Sequence, residues 1–224
     1  MTAISISNAV DKTHFDKREE RYMQLASQYK KEELDTFAEM LAEMTMGMEE
    51  NPSQDFLGEM YMNLNFGNDN TGQFFTPFCV CRLMAELSAD FDRLPKELEE
   101  KGFVSVADCA CGAGATLIAF ANACIEHDIN YQEKVLFVAQ DIDETVGLMC
   151  YIALSLMGCP GYVTIGNSLT NPGLSYDKRS VLPVDNGNVW RTPMYQTHWM
   201  WQGRQQVAAM DAMLRMLFNA KDVA

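Results

Sequence analysis

The sequence predicts an α/β protein in which a parallel β-sheet domain follows a helical extension. From residue 102 onward, short apolar runs alternate with longer segments of helical periodicity. The runs lie at 104–107, 135–139 and 162–165, and the helical segments lie at 116–124 and 145–157. This alternation is the order of a parallel sheet, in which each helix crosses over from one strand to the next.

Composition divides the chain into three predicted parts. Residues 1–14 are mainly small and polar and show no period, so we expect a disordered arm. Residues 15–101 form a helical region, because apolar residues recur there every three or four positions. Residues 102–224 form the sheet domain, which ends in an amphipathic helix with one apolar stripe: Val207, Met210, Leu214 and Leu217.

Within the helical region, one amphipathic helix is expected at 18–49. A later helix is expected after a glycine- and asparagine-rich loop, where Thr76 suits the N-cap and Pro77 the first helical position. The segment 171–201 shows no period that assigns its elements.

The charge is strongly acidic but unevenly distributed. The net charge is −14, and the pI of about 4.5 argues against free-standing, sequence-independent binding to phosphates. From Asn167 onward, however, 6 lysines and arginines stand against 4 acidic residues. We therefore expect any contact with DNA to use the C-terminal quarter of the chain, or a basic partner.

The seven cysteines indicate reduced thiols in a cytoplasmic protein. Their odd number and spacing match neither a secreted disulfide framework nor paired CxxC metal ligands, so we expect no metal site. No apolar run approaches the roughly 18 residues of a membrane span, and we expect no contact with membranes.

The most informative segment is 108–114, which reads Asp-Cys-Ala-Cys-Gly-Ala-Gly and lies between the first predicted strand and helix of the domain. In a parallel sheet the ligand crevice lies beyond the carboxyl ends of the strands, and glycines there let the backbone approach a ligand closely. Asp108 is placed to receive an ammonium group. Glycines at this spacing also occur in ordinary tight turns. The prediction of a ligand site therefore depends on the position of the segment between a strand and a helix.

Polar residues also follow the next two predicted strands. In Gln140-Asp141-Ile142-Asp143, a carboxylate is placed to bind two ribose hydroxyls, and the apolar residue can cover an adenine ring. Helix capping is the alternative role for these carboxylates. After the third strand, the Asn167 amide can read the edge of an adenine, although asparagine is also an ordinary turn residue.

These segments, together with Gly72-Gln73-Phe74-Phe75-Thr76-Pro77, resemble the modification subunit of type I restriction-modification enzymes and related N6-adenine DNA methyltransferases. The resemblance spans roughly residues 55–169. It implies a Rossmann-like S-adenosylmethionine-dependent methyltransferase fold over residues 102–224, with an N-terminal helical extension. It also implies S-adenosylmethionine as the cofactor.

The resemblance assigns the cofactor's three parts to particular residues. Phe74, Thr76 and Pro77 would line its methionine side. The amino acid part would contact the loop after the first strand, and the ribose and adenine would contact the next two loops: Asp108, Ala110, Gly112, Gly114, Asp141, Ile142 and Asn167. Two positions depart from the family, since Cys109 replaces a usual proline and Asn167 a usual aspartate.

The family's catalytic tetrapeptide, Asn-Pro-Pro followed by Tyr or Phe, is missing. In that motif an asparagine oxygen and a proline carbonyl accept hydrogen bonds from the adenine amino group, and the aromatic ring stacks on the flipped base. Asn171 and Pro172 are the nearest match, and a proline-glycine turn is their alternative role. Tyr195 and the tryptophans of this region are candidates for a replacement base platform, with core packing as the alternative: Trp190, Trp199 and Trp201.

The leading hypothesis is an adenine-N6 DNA methyltransferase-like protein that binds S-adenosylmethionine and reaches DNA, directly or through a partner specificity subunit. The missing tetrapeptide keeps two alternatives open. One is a non-catalytic cofactor-binding partner or decoy of a host restriction-modification complex. The other is a methyltransferase with a non-DNA substrate.

Overall fold

The computed structural model of the chain describes residues 1–64, 75–173 and 179–219. These residues form a mixed α/β fold around an open sheet with the strand order β1-β2-β3-β4. The strands are β1 (Val104–Asp108), β2 (Val135–Asp141), β3 (Gly161–Ile165) and β4 (Val189–Arg191). β1, β2 and β3 are parallel, as predicted, whereas β4 is antiparallel to β3.

Helices make up most of the remaining structure. They are α1 (Thr2–Val10), α2 (Phe15–Ala26), α3 (Lys31–Glu50), α4 (Phe56–Asn63), α5 (Phe78–Ser88), α6 (Leu94–Lys101), α7 (Ala115–Glu126), α8 (Tyr131–Lys134), α9 (Glu144–Leu156), α10 (Pro193–Thr197) and α11 (Trp199–Asn219). The crossover helices α7 and α9 begin and end within two residues of their predicted bounds. No helix in the described parts of the chain is long and apolar enough to cross a membrane.

β2 lies at the centre of the core, and six of its seven residues are buried. Its side chains alternate between the two faces of the sheet. Phe137 packs with residues of α7 and α9 in the main hydrophobic cluster. On the other face Leu136 and Val138 pack in a second cluster that includes Trp201. Because both faces of β2 are covered, its continuous apolar sequence is explained.

The prediction of a disordered arm over residues 1–14 is wrong, because residues 2–10 form α1. Ala3 and Ile4 are buried, and α1 packs against α2 and α9. The buried guanidinium of Arg18 in α2 donates hydrogen bonds to Asp11, at 2.9 Å, and to the carbonyl of Val189, at 2.7 Å. These contacts are long-range, and the small polar composition of the segment gives no local sign of them.

The predicted helix at 18–49 is two helices, α2 and α3. The break lies at residues 27–30, where the backbone N–H groups of Gln28 and Tyr29 bond carbonyls three residues back. The N–H of Lys30 then donates to the carboxylate of Glu33 at 2.7 Å, which starts α3. This side-chain acceptor satisfies a backbone donor at the new helix N-terminus and so favours the break.

Candidate cofactor site

The carboxyl ends of the three parallel strands bring the predicted loops together. The N–H of Gly112, in the loop after β1, donates to Oδ2 of Asp141 at the end of β2, at 2.8 Å. The N–H of Gly166, after β3, donates to the backbone carbonyl of Asp141 at 2.8 Å. Asp141 therefore joins all three loops through its side chain and its backbone.

The loop after β1 requires glycine at two positions. Gly112 and Gly114 have φ values of +51° and +97°, a region that disfavours residues with a Cβ. A Cβ at Gly114 would also lie 2.9 Å from Sγ of Cys150 in α9. The glycines thus let the loop turn tightly and let α7 begin close against α9.

Two hydrogen bonds hold the carboxylate of Asp108 at the start of this loop. Its Oδ1 accepts a hydrogen bond from the N–H of Ala110 at 3.0 Å, and its Oδ2 accepts one from the hydroxyl of Thr116 in α7. Asp108 is half-buried and Ala110 is exposed. An ionised carboxylate has about four lone-pair sites, so each oxygen can still accept a hydrogen bond from a ligand.

The two carboxylates after β2 have different roles. Oδ1 of Asp143 accepts from the N–H groups of Thr145 and Val146, at 2.7 and 3.4 Å, and so caps α9. Asp141 accepts from the N–H of Asp143, at 2.9 Å, and from the loop after β1. Helix capping, the alternative role, is therefore the role of Asp143. The carboxylate of Asp141 instead binds the loop after β1. Between them Ile142 is 69% exposed, which leaves its side chain accessible to a ligand.

Asn167 makes the turn contacts that its residue type favours. Its Oδ1 accepts from the N–H groups of Leu169 and Thr170, at 2.9 and 3.2 Å. The side chain is half-buried and lies directly after the loop that Asp141 binds. The turn thus positions the Asn167 amide at the carboxyl end of β3. Its oxygen accepts the turn hydrogen bonds, and its side-chain nitrogen can donate to a ligand.

An aromatic segment approaches the β1 loop from the helical region. Phe74 lies outside the described residues. Its neighbour Phe75 places ring atom Cε1 3.3 Å from the position of a Cβ at Gly112, and stacks on Tyr61 of α4 with ring centroids 5.6 Å apart. Thr76 and Pro77 are exposed, and Pro77 rather than Thr76 is the N-cap of α5. Sequence reasoning missed Tyr61 and Phe75, although the repeated aromatics were a visible signal.

The surroundings of the site combine carboxylates with un-ionised thiols. A hydrogen bond with the Cys150 thiol, together with burial, raises the pKa of Cys111 well above its ordinary value. Burial, together with the nearby carboxylates of Asp55 and Asp108, raises the pKa of Cys81, in α5, to about 11. Three acidic side chains lie at the carboxyl ends of β1 and β2, namely Asp108, Asp141 and Asp143, and they favour a ligand that carries a positive group.

Asn171 and Pro172 lie at the same end of the sheet and are exposed. The buried side chain of Gln140 holds this segment: its Nε2 donates to the carbonyls of Gly166 and Asn171, at 3.1 and 2.9 Å, and its Oε1 accepts from the N–H of Gly173 at 2.8 Å. Sequence reasoning did not assign this positioning role to Gln140. Its position, directly before Asp141 on a buried strand, was the available signal.

The structure places Tyr195 away from the cofactor loops. β4 runs antiparallel to β3, so the chain leaves it at the amino end of β3, where Thr192 and Gly161 exchange hydrogen bonds. Tyr195 follows in α10, is fully buried, and donates its hydroxyl to the carbonyl of Val181. Core packing therefore explains its ring. Trp190 and Trp201 are also buried, whereas Trp199 is exposed.

A family model matches most of the chain. The family model described as N-6 DNA Methylase matches residues 52–215. The match includes α4 and α5, the three parallel strands, and the loops at their carboxyl ends. The chain has no significant match among curated proteins or among solved structures. Because the family model covers well over half of its length, the chain belongs to the N-6 DNA methylase family.

Proposed function

We propose that the chain binds S-adenosylmethionine at the carboxyl ends of β1, β2 and β3 and transfers its methyl group to the N6 amino group of adenine in DNA. The observation that carries this proposal is the junction of the three loops at Asp141, within a chain of the N-6 DNA methylase family. When bound, the cofactor supplies an electrophilic methyl group on a sulfonium centre.

The residues fit the three parts of that cofactor. The carboxylate of Asp108 would accept from the ammonium group, and the loop with Ala110, Gly112 and Gly114 would let the backbone approach the amino acid part. Asp141 would accept from the ribose hydroxyls. Ile142 and Asn167 would contact the adenine, and Phe74, Thr76 and Pro77 would line the methionine side.

Asn171 and Pro172 are the candidates for holding the substrate base. The Asn171 side-chain oxygen and the Pro172 carbonyl would accept hydrogen bonds from the N6 amino group, which keeps its lone pair directed at the methyl carbon. The cofactor would supply the methyl group, and its sulfur would keep the electron pair of the broken bond, while these two acceptors would hold the N6 nitrogen in position. The extra N6 proton leaves to water.

The charge of the chain supports a role for a partner in DNA binding. A net charge of −14 opposes contact with phosphates, and the excess of basic residues is confined to the C-terminal quarter. A specificity subunit, or another restriction-modification subunit, would supply the missing positive surface. We expect the complex in the cytoplasm.

Two measurements test this function in sequence. Isothermal titration with S-adenosylmethionine measures cofactor binding by the purified chain, and Asp35→Ala, an exposed position on α3, is the matched control for Asp108→Ala. Mass spectrometry then measures N6-methyladenine in DNA from a methylation-free host that expresses each form. We expect binding and methylation in wild type and control, and neither in Asp108→Ala.

The outcomes separate the parts of the proposal. Failure of the folded wild-type chain to bind S-adenosylmethionine would overturn the cofactor assignment. Binding without N6-methyladenine, also in the presence of a specificity subunit, would overturn adenine methylation and leave a cofactor-binding protein.

A further inference from the structure

α11 carries apolar residues on two different faces. One face packs on the sheet domain: Trp201 is fully buried and donates its indole N–H to the carbonyl of Gln132 at 2.8 Å. The side away from Trp201 is apolar as well, and from Val207 onward it faces solvent. We call it the α11 seam, which consists of Met200, Gly203, Val207, Met210, Leu214 and Leu217.

The exposure of the seam is unusual for a surface helix. Val207, Met210, Leu214 and Leu217 are between 44% and 60% exposed, and all lie on consecutive turns. A helix that packs on one side of a core normally presents polar residues to water on the other. The seam therefore has the composition of a contact surface.

The spacing of the seam specifies what kind of surface fits it. Its six positions follow one another at intervals of three, four, three, four and three residues. This alternation is the heptad pattern by which two helices pack side by side, with apolar side chains of one inserted between those of the other. The pattern therefore favours a single helix as the occupant.

The N-terminal half of the seam has room for a partner's side chains. A cavity of about 790 Å³ runs beside it and is lined by Phe103, Val181 and α11 residues that include Gly203 and Val207. Among the described residues, no atom lies within 4 Å of the position that a Cβ would take at Gly203. A large apolar side chain of another helix can enter at this point.

We propose that a second copy of this chain docks on the α11 seam, with the two α11 helices antiparallel about a twofold axis. The pairing that overlaps their whole lengths sets Val207 of one copy against Met210 of the other. It also sets Leu214 against the space at Gly203, and Leu217 against Met200. Each large side chain thus meets a smaller or flexible one, and the same surface serves both copies.

Charge favours a second copy at this surface. In a chain with a net charge of −14, most surfaces of two copies repel each other. α3, for example, carries one lysine and seven acidic residues, whereas α11 carries Arg204, Asp211 and Arg215. In the antiparallel pairing, Asp211 of each copy lies two positions from the level of Arg204 of the other, whose guanidinium donates to the carbonyls of Glu133 and Gly102 of its own chain. With two arginines and one aspartate, α11 carries little charge, so two acidic chains repel each other less at the seam than at a surface such as α3.

Sedimentation velocity of the full chain over a range of micromolar concentrations tests the proposal. A two-helix contact lies near the lower size limit of stable interfaces, so we expect a dimer whose population rises with concentration. Met210→Glu combined with Leu214→Glu should leave a folded monomer. Ala209→Glu, an exposed position off the seam on the same helix, should still form the dimer.

Cysteine cross-linking tests the antiparallel register. In a background with the exposed Cys79 and Cys109 replaced by serine, a mixture of Val207→Cys and Met210→Cys chains should form a mixed disulfide dimer. Met210→Cys alone should not, because this position meets itself only in a parallel pair. A wild type that stays monomeric throughout, or a dimer that survives the double glutamate variant, would overturn the proposal. Efficient cross-linking by Met210→Cys alone would overturn the antiparallel pairing.

Discussion

The carboxylate of Asp141 and the backbone N–H of Gly112 lie 2.8 Å apart, although 29 positions separate the two residues in the chain. This hydrogen bond fixes the distance between the loop that would hold the cofactor's amino acid part and the residue that would hold its ribose. The pocket is thus pre-organised by an acceptor that is itself expected to bind the ligand.

Replacing Asp141 by alanine should weaken S-adenosylmethionine binding by roughly 10- to 100-fold, about 1.4 to 3 kcal/mol. The variant loses both the ribose acceptor and the bond that positions the β1 loop. Isothermal titration measures the change in Kd. Asp143→Ala is the matched control, because its carboxylate caps α9: we expect a loss of about 1 kcal/mol in the free energy of unfolding and little change in Kd. The reverse pattern would contradict the division of roles between these two carboxylates.

Gly114→Ala should lower the free energy of unfolding by about 2 kcal/mol. The φ of +97° is strained for alanine, and its Cβ would lie 2.9 Å from Sγ of Cys150. Urea unfolding of the two single variants and of Gly114→Ala with Cys150→Ala measures the coupling. We expect the double variant to lose less than both single losses together, because removing the sulfur relieves the contact. Strictly additive losses would show that the contact with Cys150 contributes nothing.

The ionic contacts where α1, α2 and β4 meet should make the free energy of unfolding fall at acidic pH. Burial alone would raise the pKa of Asp11, but the hydrogen bond from His14 and the charges of Arg18 and Arg191 outweigh it, so the pKa is below its ordinary value. The pKa of Asp185 is lowered as well, because the hydrogen bond from the N–H of Gly187 and the charge of Arg191 outweigh the effect of its burial. A carboxylate with a lowered pKa stabilises the fold above its unfolded value of about 4, and loses this contribution as the pH falls through the folded value.

Asp11→Asn should therefore destabilise the protein by about 3 kcal/mol near neutral pH, where the buried Arg18 loses its ionised partner. The difference from wild type should shrink as the pH falls toward about 3. Urea unfolding at both pH values measures it, with Asp35→Asn on the exposed side of α3 as the control. A difference that does not change with pH would show that the charge of Asp11 is not the cause.

The sequence allowed the parallel strands and the cofactor loops to be predicted, because both leave local signals. β2 is a continuous apolar run, and Asp108 and Asp141 stand at the points where their strands end. The direction of β4 has no such signal: three residues of strand pair with β3 only because the chain returns from a distance. The placement of Tyr195 depended on that direction, and for the same reason the burial of Ala3 and Ile4 against α9 could not be predicted.

Gln140→Leu should reduce methyl transfer far more than it weakens cofactor binding. The Gln140 amide contacts the backbones of Gly166, Asn171 and Gly173, and leucine would leave these groups without partners, at a cost of about 2 kcal/mol in unfolding free energy. Asn171 would then no longer be held at the proposed position of the adenine amino group, whereas the Asp141–Gly112 bond would persist. Steady-state methylation of DNA should show the loss mainly in kcat.

Tyr195→Phe should lower stability without affecting methylation, in contrast to Gln140→Leu. It removes the buried hydroxyl that donates to the carbonyl of Val181, so stability should fall by about 1 kcal/mol while cofactor binding and methylation stay unchanged. Phenylalanine keeps the ring, so the variant tests the hydroxyl: a hydroxyl that contacted the substrate base would instead alter the KM for DNA in a protein of nearly normal stability. Loss of methylation in Tyr195→Phe together with full activity in Gln140→Leu would move the substrate site to the other end of the sheet.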